Sequence, residues 1–335
     1  MLIIVLMWLA LVFWGIEYLK VPDGTAFDKE NTLALRGICS IEIMMGHLGI
    51  ATNSTVLFPN RKAGILFVGI FFAISGYGLM CSLHNKNNYL DRFLINRLPK
   101  LLIPAYVIYA IGIFAKAVFL NTAYGPADFF RPDRCFTGTN WYVWEMFVMY
   151  IVFYICARLM DLKKSHIVLL ILSLIFVCIG YTLKLDGPWY GSTFCFWLGI
   201  FYFIKREKFR EVLVLQHWIL KTIICGVTMT AAMALFFINE DGIIGDLIGR
   251  NIASVSFVII VIICLYRFKL GNMVSRKLGK YSYEIFLFHP ILIAVLRPYI
   301  DNNAVYALLV IALTIIAASI YCIFSDFIRE KMKQM

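Results

Sequence analysis

The chain has 335 residues, 61% of them apolar and 15% charged, with a formal net charge of +11. Soluble domains carry roughly a quarter charged residues, so this composition excludes an ordinary globular protein. The positive charge does not point to nucleic acid, because the cations sit in short links between apolar runs of roughly 20 residues, long enough to cross a bilayer as helices.

Eleven spans are predicted, at 1–19, 33–51, 63–83, 101–120, 141–157, 166–183, 188–204, 217–238, 246–266, 282–300 and 304–324. The chain therefore reads as an all-α integral membrane protein, a polytopic bundle of about ten core transmembrane helices plus one extra N-terminal helix. Residues 1–19 lack a basic leader and a small-x-small site, so they read as a retained helix rather than a signal peptide. Residues 33–324 read as one membrane domain and 325–335 as a short basic cytoplasmic tail.

Charge orients the spans. The links 20–32, 84–100, 158–165, 205–216 and 267–281 and the tail, with Arg36 and Lys221, hold 23 of the 31 Lys and Arg. The other 8, among them Arg61, Lys62, Arg131, Arg134 and Arg250, fall on the opposite side. The richer side is expected to be cytoplasmic, with the C-terminus inside and the N-terminus outside. Most cysteines lie within apolar blocks, Cys135 being the one clearly in a loop. Without a CxxC pair or a Cys/His cluster, neither a disulfide framework nor a metal site is expected.

Titratable groups at membrane depth are costly and mark candidate sites. The span 33–51 carries Arg36, Glu42 and His47. Eleven residues on a helix make about three turns plus 20°, so Arg36 and His47 share one face, separated by roughly 16 Å, while Glu42 points about 140° away from His47. Taken alone, Arg36 reads as an interfacial anchor, and His47 reads equally as a satisfied core group. Together they favour a site.

The next span holds Phe71-Phe72-Ala73-Ile74-Ser75-Gly76, which by itself reads as a helix-packing notch. The following link carries Arg92, Arg97 and Lys100 before Pro104, cations that suit anionic lipid or the phosphates of a donor. The fifth span opens with Trp141-Tyr142 and places Glu145 about one turn in; its aromatics fit an interfacial belt or a sugar ring. The tenth reads Ser282-Tyr283-Glu284-Ile285-Phe286-Leu287-Phe288-His289-Pro290, a second membrane histidine beside a break in the backbone ladder. His84, His166 and His217 lie in or beside the links and carry no claim.

Five elements in this order resemble the acyltransferase family 3, bacterial membrane enzymes that O-acylate cell-surface and secreted carbohydrates. They are an Arg/Lys-x10-His helix (Arg36, His47), Phe-Phe-x-x-Ser-Gly (Phe71 to Gly76), a basic link reaching a proline (Arg97, Lys100, Pro104), Trp141-Tyr142, and Ser-Tyr-x-x-x-Leu-x-His (Ser282 to His289). The resemblance implies about ten helices in the bacterial cytoplasmic membrane and an acyl-CoA co-substrate, usually acetyl-CoA, with no bound cofactor. It also implies a carbohydrate acceptor approaching from outside. It makes His47 the catalytic base, with Arg36, Ser75, Arg97 and Lys100 binding the donor or supporting the site. Trp141, Glu145, Ser282, Tyr283 and His289 fall on the acceptor side or behind the site, Ser75 or Glu145 being candidates to steer His47. Lys100 stands where the family often has Arg, the 1–19 helix lies outside the ten-helix pattern, and no fused soluble domain is expected. A glycan transporter or flippase also needs polar groups at mid-membrane, but it predicts inverted repeats and paired broken helices, which are not evident here. A sensory or scaffolding protein leaves His47 and His289 unexplained.

Overall fold

The computed structural model describes residues 1–21, 24–125, 140–240 and 242–334. The link bearing Arg131, Arg134 and Cys135 lies outside the described residues. Among those described are twelve α-helices: α1 (Leu2–Phe13), α2 (Lys29–Thr52), α3 (Phe58–Asn85), α4 (Phe93–Leu120), α5 (Asn140–Leu159) and α6 (Leu162–Thr182), then α7 (Thr193–Phe209), α8 (Trp218–Ile238), α9 (Arg250–Arg267), α10 (Met273–Lys280), α11 (Ser282–Leu296) and α12 (Asn303–Gln334). Eight are long and apolar enough to cross a membrane. With the shorter α7 and α11 packed among them, they form the expected ten-helix bundle of a multi-pass membrane protein.

The central helix is α2. Every residue from Ile38 to Met45 is buried, so this helix is surrounded on all sides, whereas α8 buries only Ala232 and Phe236 and turns the rest of its apolar surface outward. The start of α2 is capped by Asp28, whose carboxylate accepts from the Asn31 amide, and its end by left-handed Asn53. Small residues set the closest crossings. A Cβ on Gly76 of α3 would overlap the Phe196 carbonyl of α7, and one on Gly37 of α2 would overlap the Ser275 carbonyl of α10.

Tertiary contacts divide the links as the charge pattern does. On the basic face, β1 (Glu17–Tyr18) pairs antiparallel with β2 (Phe268–Lys269), Glu30 meets Arg276 at 3.4 Å, and Asp91 meets Arg158 at 2.8 Å. Arg267 reaches the Val214 carbonyl at 2.8 Å. On the opposite face, Lys62 pairs with Glu240, Tyr299 bonds the Phe119 carbonyl and Asn303 the Thr52 carbonyl.

Four elements differ from expectation. The predicted 1–19 span is a 12-residue helix of about 18 Å, short of the roughly 30 Å hydrocarbon core, followed by β1. Asn272 ties its end to the basic face by donating to the Leu11 and Trp14 carbonyls. The link 267–281 contains α10, started by an Asn272/Ser275 capping box, and its polar residues concealed it from a hydropathy reading. The basic tail continues α12 without a break to Gln334, and the link 205–216 prolongs α7 as a π-wound turn.

Candidate active site

Two cavities lie along the face of α2 that bears Arg36 and His47. The inner cavity, about 330 Å³, opens toward the basic face and is lined by Arg36, Ser75, Arg97, Lys100, Tyr150 and Tyr283, among others. Its hydroxyls hold the cations. Arg36 Nε donates to Ser282 Oγ at 3.1 Å, so the first and last sequence motifs meet although 246 residues separate them. Arg97 donates to the Tyr89 hydroxyl at 2.8 Å and to Ser82 Oγ at 3.0 Å. Tyr150 shares a hydrogen bond with Ser75. The Tyr283 hydroxyl donates to the Leu101 carbonyl at 2.7 Å, next to the segment of α4 where Pro104 interrupts the backbone ladder.

Arg97 and Lys100 also line a mouth of about 530 Å³ on the basic face, with Lys86, Arg92, Tyr89 and three asparagines. None of the described residues lining the inner cavity or its mouth is acidic. An anion entering here meets four cations before reaching Arg36.

The outer cavity, about 470 Å³, opens toward the opposite face and contains His47 and Trp141. The imidazole of His47 lies edge-on to that of His289, centroids 5.0 Å apart. His289 is fully buried, and its Nδ1 sits 3.2 Å from the Ile285 carbonyl. A carbonyl only accepts, so Nδ1 carries the proton and Nε2 keeps a lone pair, which has no partner among the described residues. The ring also interacts with the Phe286 carbonyl, whose usual helical donor is missing at Pro290. The predicted break is thus bridged by the preceding histidine, and Pro290 remains inside α11.

The outer rim is charged but internally paired. Besides Lys62 with Glu240, Arg250 meets Asp246 at 2.6 Å, and both Lys62 and Arg250 lie over the Phe236 ring. Asp246 also accepts from the buried Tyr190 hydroxyl. Arg61 is held by neutral groups, donating to the Gly49 carbonyl at 3.0 Å and to Asn53 at 2.7 Å.

The motifs now separate by residue. In Phe-Phe-x-x-Ser-Gly, Phe71 and Ser75 line the inner cavity, Phe72 packs on Tyr142 at 5.3 Å, and Gly76 serves the α3–α7 crossing. In Trp141-Tyr142 the first side chain lines the outer cavity and the second the inner. Glu145 is not brought to His47. It is fully buried against α7, where it accepts from Thr193 Oγ1 at 2.6 Å. Nor is Ser75, which lies with Tyr150; the group against His47 is His289. Glu42 points away from His47, as the helix geometry requires, and accepts from Asn60 at 2.5 Å.

Sequence reading missed Tyr89, Arg250 and Phe286 as parts of these cavities, and Ser82 as a partner of Arg97. Only Arg250 had a visible signal, its spacing of four from Asp246.

No curated protein and no solved structure matches this chain. A family model described as an acyltransferase domain matches residues 33–324, most of the chain, from within α2 to within α12. Acyl transfer is therefore the activity class, and the chain belongs to the acyltransferase family 3.

Proposed function

We propose that this membrane acyltransferase takes an acyl group, acetyl in the simplest case, from acyl-CoA at the basic face and esterifies a hydroxyl of a cell-surface or exported carbohydrate arriving from the opposite face. The observation that carries this reading is the sequence of spaces: a cation-lined mouth, a hydroxyl-lined inner cavity, then an outer cavity containing His47. The positive-inside rule makes the basic face cytosolic, where acyl-CoA is supplied, in the cytoplasmic membrane of a bacterium.

The diphosphate and ribose phosphate of the donor suit Lys86, Arg92, Arg97 and Lys100, arginine offering a fork and Lys100 a point charge. The pantetheine arm then runs along the inner cavity past Arg36, Ser282, Ser75 and Tyr150. A sugar ring suits the flat face of Trp141 in the outer cavity. As the sugar hydroxyl oxygen attacks the thioester carbonyl carbon, His47 takes its proton. The C–O ester bond forms, the C–S bond breaks, and the CoA thiolate leaves with the proton returned from His47. His289 is a positioning residue. Its Nδ1–H is committed to the Ile285 carbonyl, and its ring packs edge-on against that of His47, fixing the orientation of the base.

The test is acetyl-CoA binding and CoA release by detergent-purified wild type and His47→Ala. Both proteins should bind acetyl-CoA, and only wild type should release CoA. Normal turnover by His47→Ala would remove His47 from the chemistry. Absence of binding by either folded protein would remove the donor.

A further inference from the structure

We propose that Phe286 is the partition between the donor and acceptor chambers and the residue that sets the length of acyl chain accepted. This rests on the acyl-CoA reading above and adds a specificity element to it.

Among the described residues, Phe286 alone lines both cavities. It projects from α11 one turn before His289, is 4% exposed, and packs edge-on against Tyr142 with ring centroids 4.9 Å apart. On its other side the His289 ring is 5.8 Å away. The partition is braced. Tyr142 is backed by Phe72, and the Phe286 carbonyl is engaged by the His289 side chain. A phenylalanine here has an apolar ring that binds neither donor phosphate nor sugar hydroxyl. Its effect is therefore steric.

The consequences follow from position. Arg36, Ser282 and Tyr283 lie on the donor side of the ring and His47 on the other, so the thioester must arrive at Phe286 for the two to meet. Phe286, Tyr142 and Met146 all line the inner cavity, and in this proposal they form its end wall. A two-carbon acyl group ends at this wall. A longer chain has to displace a ring held by two aromatic neighbours, and packed interiors resist such displacement.

The experiment is binding of non-hydrolysable ketone analogues of acetyl-, butyryl- and hexanoyl-CoA, with a methylene between sulfur and carbonyl, to purified wild type, Phe286→Ala and Phe286→Trp. Phe286→Leu replaces the alanine variant should that one lose its monodisperse elution. Wild type should prefer the acetyl over the hexanoyl analogue by at least about tenfold, given what one or two misfitting methylenes cost in a closed pocket. The smaller side chain should erase most of that preference, and tryptophan should weaken binding of the acetyl analogue itself. Unchanged discrimination in the smaller variant, or a wild type that takes all three analogues equally, would overturn the partition while leaving acyl-CoA as donor. If no analogue binds folded wild type, the donor reading itself fails.

Discussion

The two cavities along α2 handle charge in opposite ways. In the inner one, Arg36 and Arg97 are held by the neutral hydroxyls of Ser282, Tyr89 and Ser82, so their charge remains available to an incoming anion. In the outer one, Lys62 and Arg250 are matched with Glu240 and Asp246, Arg61 is held by neutral groups, and His47 lies against His289. Under the proposed function, the inner side suits the negative charge of an acyl-CoA donor and the outer side a neutral polyol. A single helix serves both because eleven residues return its side chains to the same face roughly 16 Å further along.

The sharpest way to break this comparison is at its chemical end. His47→Ala should lower kcat by about 10²–10⁴-fold with donor affinity nearly unchanged, read from turnover and calorimetry on the same preparation. In wild type, acidification protonates the imidazole and removes the lone pair that accepts the hydroxyl proton. Activity should therefore fall as pH is lowered and be restored on return, while His47→Ala shows no such dependence in its residual rate. Equal pH profiles would detach the titration from His47.

Next in size are the inner cations. Arg97→Ala should weaken donor binding about 10- to 100-fold, the worth of roughly 1.5–3 kcal/mol for a charge-assisted hydrogen bond. Arg97→Lys should recover only part of it, since a point charge does not replace the fork. An effect confined to kcat would contradict the assignment of this side to the donor.

A third comparison lies inside one motif. Ser75→Ala should change donor KM while leaving thermal stability in detergent intact, because Ser75 faces the cavity. Gly76→Ala should lower Tm, by the equivalent of about 1–3 kcal/mol, since its Cβ would overlap the Phe196 carbonyl. The reverse pattern would exchange the roles of the two residues. The smallest effect belongs to the outer rim. Glu240 is exposed and Lys62 half-buried at the rim, and such solvated pairs contribute about 0–1 kcal/mol, so Lys62→Ala should leave Tm nearly unchanged and donor affinity within about twofold.

Much of this architecture was legible without coordinates. Hydropathy summed over a window located the ten core helices, because the bilayer demands a long apolar run wherever the backbone crosses it. The distribution of Lys and Arg divided the links into two faces, and helix periodicity alone set Arg36 and His47 on one side of α2 with Glu42 turned away. Five short motifs in order carried the family.

What the tertiary structure decided was partnership. The length of a neighbouring apolar run says nothing about how its helix is rotated, and rotation is set by contacts such as Gly37 on Ser275 and Gly76 on Phe196. Those contacts turn Glu145 toward Thr193 instead of His47, bring His289 against His47, and join Arg36 to Ser282 across the chain. They also split Trp141 and Tyr142 between two cavities and leave Phe286 standing between them. Chain-local patterns determined where the membrane is crossed and which residues carry chemistry; helix packing determined which of those residues face one another.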